Sequence, residues 1–170
     1  RRNTGYALDM LAEMSPFNAN GKDINLSHLI AGSEGTLFFV TEIKLALDPL
    51  PPKERLLICA HFENLDDSLK ANSMALKYKP MAVELMDKFI LDCTSGNRRY
   101  SQMRFFLEGD PEALLIIELD ADNKEELFQK KSALINDYEQ ASLGYAFTEV
   151  SGEDMSKVWA LRSAGLGLLS

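Results

Sequence analysis

The chain has 170 residues, of which 46% are apolar and 26% charged, and its formal net charge at pH 7 is −8. These proportions belong to a folded globular protein and exclude a disordered or collagen-like chain. The negative charge disfavours nucleic acid or an anionic membrane surface as a partner. Cys59 and Cys93 lack CxxC spacing, and no stretch reaches the roughly 18 apolar residues of a membrane span. We therefore expect reduced thiols, with Cys59 in the core, in a cytoplasmic protein without a membrane span.

The first block of the chain combines a short helix, a glycine turn and a long strand. Residues 25–30 predict the helix, and Gly32 and Gly35 bracket the turn. From Thr36 to Leu47, five apolar residues fall on one face at a period of two, which predicts a long strand. That face consists of Leu37, Phe39, Ile43, Leu45 and Leu47. Three prolines in residues 48–52 then block both helix and central strand, so we expect a domain boundary there.

The rest of the chain alternates strands with helices in two β-α-β units. Strands are predicted near residues 55–62, 82–86, 114–119 and 145–150. Asn64 and Asn123 are predicted N-caps of two helices, the first ending near Lys79. Two such units on one sheet predict an α+β, ferredoxin-like sandwich of four antiparallel strands with both helices on one face.

Two further segments of this block are predicted from composition. The polar stretch from Asp92 to Asp110 is interpreted as a loop. Within it, Arg98, Arg99 and Arg104 suggest either an anion-binding patch or simply a polar loop. A third helix is predicted to open near Gly152.

The turn formed by residues 32–36 is the most informative motif for chemistry. Its members are Gly32, Ser33, Glu34, Gly35 and Thr36. Glycine permits positive φ and close approach of a ligand to the backbone, and exposed amides can face a phosphate or a polar ring edge. The segment from Asn3 to Tyr6, with Gly5, is a second candidate that would support a flat aromatic ligand. For each motif alone, a surface turn is the better explanation of the residues.

The histidines offer little to a metal or to catalysis. His28 and His61 are isolated in the sequence, and two isolated histidines do not make a metal site. His61 alternates into the predicted strand 55–62, so we expect it either to have its ring nitrogens satisfied by the protein or to lie at the rim of the sheet.

Taken together, these motifs resemble a known family. The segment Asn3–Leu8, the turn at 32–36 and a strand ending in Pro49-Leu50-Pro51 resemble the FAD-linked oxidases, the flavoproteins that include D-lactate, glycolate and D-2-hydroxyglutarate dehydrogenases. The resemblance continues through residues 82–87 and Trp159–Arg162. It implies a fragment in which residues 1–50 end the FAD-binding domain and residues 51–170 begin the C-terminal cap domain. The family's main phosphate-binding loop would precede Arg1, so we expect the isolated chain to lack FAD and activity.

The resemblance also implies site residues. The turn at 32–36 would line the FAD, with Asn3, Gly5 and Tyr6 near the flavin. Arg162, in the pattern Trp-x-x-Arg, resembles a ligand of the substrate carboxylate. Two positions depart from the family pattern. Phe38-Phe39 replace Gly-(Ile/Val), and Leu166 replaces a threonine, which leaves the exact acid open.

The segment 104–111 resembles the large members that add an iron–sulfur module downstream. A histidine-rich metal site would lie beyond Ser170.

These implications predict the two-electron oxidation of a D-2-hydroxy acid to a 2-oxo acid, with FAD and a further electron acceptor in the intact protein. Glu153 and Asp154 lie too far along the predicted helix to pair with Arg162. We therefore expect its guanidinium to have no local partner and to bind the substrate carboxylate. Peripheral membrane attachment through electron-transfer partners stays open. The alternative is a freestanding ferredoxin-like module that binds a small ligand or a protein. Such a module would have no use for residues 3–47.

Overall fold

The chain divides into two compact units. The computed structural model describes residues 5–96 and 98–167. The first unit is Arg1–Pro49 and the second is Leu50–Ser170. The division falls within the proline-rich segment, where the missing amide donors and fixed φ prevent a helix or central strand from running through.

In its described residues, the first unit contains two short helices, α1 (Leu8–Ala12) and α2 (Ser27–Ala31). The predicted helix at 25–30 is therefore present, shifted by about one residue at its end and two at its start. The predicted strand from Thr36 to Leu47 is wrong, because these residues form no strand. A strand needs a neighbour for its backbone donors and acceptors, and none of the described residues pairs with this segment. Its apolar side chains are exposed, with Leu47 at 89%.

A four-stranded antiparallel sheet forms the centre of the second unit. Its strands are β1 (Glu54–Phe62), β2 (Ala82–Asp87), β3 (Ala113–Ala121) and β4 (Ala146–Ser151). The spatial order is β2-β3-β1-β4, and all three neighbouring pairs are antiparallel. This is the ferredoxin-like arrangement, so the predicted fold class and all four strands are confirmed.

Two helices cover one face of the sheet, as predicted. They are α3 (Leu65–Ala75), followed by a single 3₁₀ turn at Leu76–Tyr78, and α6 (Lys124–Gln140). The side chain of Asn64 accepts a hydrogen bond from the Asp67 amide, and that of Asn123 accepts one from the Glu126 amide. Each cap stabilises its helix by about 1 kcal/mol. Alternate residues of β1 and β3 pack against both helices in the first core cluster.

Three of the described helices cover the other face of the sheet, and the sequence predicted only one of them. They are α4 (Lys88–Ser95), α5 (Arg98–Ser101) and α7 (Asp154–Gly167). Of these, α7 matches the third predicted helix, whereas the loop predicted from Asp92 to Asp110 is wrong over α4 and α5. The reason is that α4 buries Leu91 in the second core cluster, while Asp92 and Ser95 on the same helix are exposed.

Arg104 also has a structural use. Its Nη1 donates to the Leu91 carbonyl and, at 2.7 Å, to Thr94 Oγ1. Arg104 thus satisfies carbonyl and hydroxyl oxygens in the last turns of α4. These contacts do not fit the anion patch that its charge suggested.

Candidate functional site

The glycine turn of the first unit has the predicted positive φ at Gly35 but not at Gly32, whose φ is −97°. Glu34 and Gly35 both have positive φ, at 49° and 76°. Ser33 is buried, and its amide and Oγ both donate to the Ile30 carbonyl at 3.1 and 2.9 Å. The Thr36 amide donates back to the Ser33 carbonyl at 2.9 Å. The buried Ser33 therefore holds the turn against the end of α2.

The structure brings the turn together with the second sequence motif. A Cβ built on Gly32 would stand 1.9 Å from the carbonyl oxygen of Gly5, so only glycine allows these backbones to approach. The Tyr6 hydroxyl lies 2.8 Å from Thr36 Oγ1. Two motifs about 30 residues apart thus form one local structure. Asn3, predicted to belong to it, lies outside the described residues.

The hydroxyl groups of Tyr6 and Thr36 can place their protons in only one consistent way. Thr36 Oγ1 donates to the Ser33 carbonyl at 2.5 Å, which uses its only proton. The Tyr6 hydroxyl must therefore be the donor to Thr36. Its own oxygen keeps free lone pairs, and 41% of the Tyr6 residue is exposed. Tyr6 can consequently accept a further hydrogen bond from a ligand.

The residues of this turn fit the polar edge of a bound FAD. Within residues 5–96 and 98–167, the amides of Glu34 and Gly35 donate to no protein acceptor. A Cβ at position 35 would meet no atom within 4 Å, so the turn is open on that side. Two unused amides beside an acceptor hydroxyl match the carbonyls, ring N–H groups and phosphates of a flavin nucleotide.

Arg162 lies in the second unit, on α7, and it has a protein partner. Its Nη2 donates to Glu84 Oε2 of β2 at 2.7 Å. The expectation that Arg162 has no protein anion beside it is therefore wrong. Glu84 is 78 positions away from Arg162 in the chain, so a comparison of residues within one helix does not reach it. Glu84 shares a face of β2 with the buried Met86, and this alternation was the signal that could have found it.

Most donors of Arg162 stay available. Among the described residues, its guanidinium makes this one hydrogen bond, although it carries five N–H groups. Its side chain is 29% exposed, and that of Glu84 is 37% exposed. A planar guanidinium in this state can still bind a carboxylate through two parallel bonds.

The close packing of α7 against α4 fixes the backbone near Arg162. A Cβ on the buried Gly165 would lie 2.5 Å from Ile90 Cγ2 of α4 and 3.7 Å from Met86 Cε. Trp159, on the same helix, packs against the second core cluster. The absence of a side chain at position 165 therefore permits the approach that places Arg162 over β2.

His61 is a satisfied core residue, as predicted. It is fully buried, its Nδ1 donates to the Ala146 carbonyl at 3.2 Å, and its Nε2 accepts from the Glu108 amide at 3.1 Å. These partners require the neutral ring, and burial lowers the pKa of His61 below its usual 6.5. With both nitrogens engaged, His61 is available neither as a base nor as a metal ligand.

The buried thiol of the second unit adds no reactive group. Cys59 is fully buried in the core, as predicted, and burial raises the pKa of its thiol to about 12. No cluster of three or more His, Cys, Asp or Glu side chains that could hold a metal occurs in the described part of the chain. Nor does any helix there have the length and apolarity to cross a membrane.

Comparison with known proteins identifies the class. Residues 51–170 match the family described as FAD linked oxidases, C-terminal domain, and the chain belongs to that family. The resemblance drawn from the motifs is thereby confirmed.

Curated relatives extend the similarity over almost the whole chain. A D-2-hydroxyglutarate dehydrogenase of Pseudomonas putida is 26% identical over 174 residues, which cover 98% of this chain and 16% of the relative. The enzyme of the same name from Haemophilus influenzae is 27% identical over 179 residues, or 98% of this chain and 17% of the relative. A D-lactate dehydrogenase of Archaeoglobus fulgidus is 31% identical over 119 residues, or 64% of this chain and 26% of the relative. The chain spans about a sixth of the length of the first two relatives.

Proposed function

We propose that the intact protein containing this chain is an FAD-dependent dehydrogenase that oxidises a D-2-hydroxy acid to the 2-oxo acid. The observation that carries the proposal is the agreement of the relatives, which are named dehydrogenases of D-2-hydroxyglutarate or D-lactate. The family match over residues 51–170 also argues against a freestanding ferredoxin-like module.

The first unit would contribute to the FAD site. Residues 1–50 would end the FAD-binding domain, and the turn of Gly32, Ser33, Glu34, Gly35 and Thr36 would line the cofactor together with Asn3, Gly5 and Tyr6. The unused amides of Glu34 and Gly35 would donate to its polar atoms, and the Tyr6 oxygen would accept from them. When bound, FAD supplies the two-electron acceptor that no amino-acid side chain offers.

The second unit would bind the substrate. Residues 51–170 would form the first part of the cap domain, in which Arg162 holds the carboxylate of the hydroxy acid. The hydroxy acid loses two electrons and two protons in the reaction, and its carboxylate stays charged throughout. Arg162 would therefore act by orientation: a two-point bond fixes the plane of the carboxylate and hence the direction of the adjacent carbinol C–H.

The remaining parts of the reaction would lie elsewhere in the intact protein. His61 cannot take the hydroxyl proton, because both its nitrogens are engaged within the core. We propose that the base and a metal site lie beyond Ser170. A fused iron–sulfur module, suggested by residues 104–111, would then pass electrons to the acceptor.

Anaerobic reduction of the purified intact protein tests the proposal. The flavin absorbance band should bleach on addition of D-lactate or D-2-hydroxyglutarate and persist with the L enantiomers at equal concentration. Glycolate, which lacks a stereocentre, serves as a third substrate. A protein that purifies without flavin, or whose flavin is reduced by none of these acids, would show that the proposal is wrong.

A further inference from the structure

The ion pair of Glu84 and Arg162 joins two elements that are far apart in the chain. Glu84 lies on β2, an edge strand of the sheet, and Arg162 lies on α7, which covers the same face. The two atoms Oε2 and Nη2 are 2.7 Å apart. Since both side chains are partly exposed, such a pair contributes little to folding stability. Folding stability therefore does not explain why these two side chains are paired.

The pair has a clearer effect on the guanidinium itself. An arginine side chain is long and has many rotamers, and binding a ligand in one geometry costs the freedom of all of them. The bond from Nη2 to Glu84 holds one edge of the group in place before any ligand arrives. Within the described residues, the second N–H of Nη2 and the N–H groups of Nε and Nη1 make no bond. The second N–H of Nη2 together with one of its two neighbours therefore remains available as a two-point donor to a second anion.

We propose that Glu84 is the positioning residue of Arg162: it holds one edge of the guanidinium so that the free donors meet a substrate carboxylate in a fixed orientation. The inference rests on the proposed function, because it takes Arg162 as the carboxylate ligand. Glu84 would not touch the substrate. It also lowers the net charge of the pair to zero, so the site selects carboxylates by geometry and holds them less by charge alone.

Two substitutions separate the hydrogen bond from the charge. Glu84→Gln keeps an oxygen that accepts from Nη2 and loses the negative charge, whereas Glu84→Ala loses both. If Glu84 acts through orientation, Glu84→Ala should weaken carboxylate binding about tenfold, the typical effect of one charge-assisted hydrogen bond. Glu84→Gln should stay within about threefold of the wild type, because the orienting bond survives.

Glu149 provides a matched control. It lies on β4, the opposite edge strand, and its Oε2 accepts from Lys131 of α6 at 2.8 Å on the other face of the sheet. Glu149→Ala therefore removes the same kind of partly exposed, strand-to-helix ion pair without approaching Arg162. Comparable Tm values for Glu149→Ala and Glu84→Ala would show that stability does not account for a difference in binding.

The experiment is a calorimetric titration of the intact, flavin-loaded protein with oxalate, a small carboxylate that is not a 2-hydroxy acid. It uses the wild type, the three variants above, Arg162→Ala, and the double variant Glu84→Ala/Arg162→Ala. We expect Glu84→Ala to weaken binding about tenfold in the wild-type background and to cause no further loss once Arg162 is absent. Turnover of D-lactate and D-2-hydroxyglutarate is measured in parallel, per bound flavin, and should follow the same order.

Three results would overturn the inference: no oxalate binding by the wild type, equal binding by wild type and Glu84→Ala, or an undiminished loss in the Arg162→Ala background. If Glu84→Ala does not fold, Glu84→Gln decides, since a loss well beyond threefold would contradict orientation by the hydrogen bond. If the wild type binds oxalate but oxidises none of the 2-hydroxy acids, the proposed function fails while the titration still decides the role of Glu84.

Discussion

Gly5 and Gly32 approach so closely that a Cβ on residue 32 would stand 1.9 Å from the Gly5 carbonyl oxygen. The backbone of Gly32 is otherwise ordinary, with φ −97° and ψ 1°, which any residue can adopt. Glycine is therefore required at position 32 for space and not for conformation. The contact joins the two motifs that the sequence proposed for FAD.

Gly32→Ala should accordingly disturb this part of the proposed FAD site. The methyl group meets backbone atoms, which cannot move aside as a side chain can, and overpacking of this kind costs roughly 1–3 kcal/mol. We expect the Kd of the intact protein for FAD to rise at least about tenfold. Flavin content after dialysis and fluorescence titration of the apoprotein measure this change. Gly96→Ala is the control, since φ is −74° there and no atom lies within 4 Å of its Cβ. Equal FAD affinity in Gly32→Ala and wild type would contradict the proposed role.

The second prediction concerns Gly165, where α7 crosses α4. Alanine would gain about 1 kcal/mol in helix propensity, but its Cβ would lie 2.5 Å from Ile90 Cγ2, a clash worth roughly 1–3 kcal/mol. We expect Gly165→Ala to lower the free energy of unfolding, and to be stabilising once Ile90→Ala has removed the clashing methyl. Denaturant unfolding can follow this through the single tryptophan, Trp159, which packs in the second core cluster. If the effects of the two substitutions on the free energy of unfolding are strictly additive, the contact between residue 165 and Ile90 does not cause the destabilisation.

The third prediction is a pH dependence of stability caused by His61. Burial lowers its pKa in the folded protein, so the unfolded chain binds more protons once the pH falls to about 6.5. The stability contributed by the neutral ring is thus fully present above that pH and is lost as the pH falls from it towards the folded-state pKa. We expect His61→Gln to be less stable at pH 8 and to show a shallower loss of stability between pH 7 and 5.

Denaturant unfolding of wild type and His61→Gln at several pH values gives the slopes. Identical slopes for His61→Gln and the wild type would contradict the assignment.

The fourth prediction distinguishes the two thiols. Cys59 is fully buried and its pKa is raised to about 12, whereas Cys93 is half-buried on α4. Because the thiolate is the reactive form, a thiol reagent at pH 8 should label Cys93 and reach Cys59 only on unfolding. Mass spectrometry of wild type and Cys93→Ser checks this. Fast labelling of the native Cys93→Ser variant would show that the core around Cys59 is open.

The success of the sequence predictions depended on how local their causes were. The caps Asn64 and Asn123 each act on an amide three residues ahead, so their helices followed directly from the sequence. The central strands β1 and β3 were recognisable as apolar runs, which a strand buried on both faces requires.

The errors arose where the cause lies elsewhere in the chain. Residues 36–47 alternate as a strand does, but no described residue supplies the partner that would make them one. Glu84 was missed as the partner of Arg162 because 78 residues separate them. Helix α4 was missed for a different reason. Asp87 caps this helix by accepting a hydrogen bond from the Ile90 amide, which is a local signal, but the polar residues that follow favoured a loop.

The most direct test of the account is the effect of Arg162 on turnover in the intact protein. Steady-state kcat/KM for D-lactate and D-2-hydroxyglutarate should be compared among wild type, Arg162→Ala and Arg162→Lys, at matched flavin content. Loss of the charge-assisted pair should cost roughly 2–5 kcal/mol if the site is desolvated, or about one to four decades in kcat/KM. Lysine should restore only part of it, because it cannot form two parallel bonds. Unchanged kcat/KM in Arg162→Ala for every 2-hydroxy acid that the wild type accepts would contradict the account and leave Arg162 as the structural partner of Glu84.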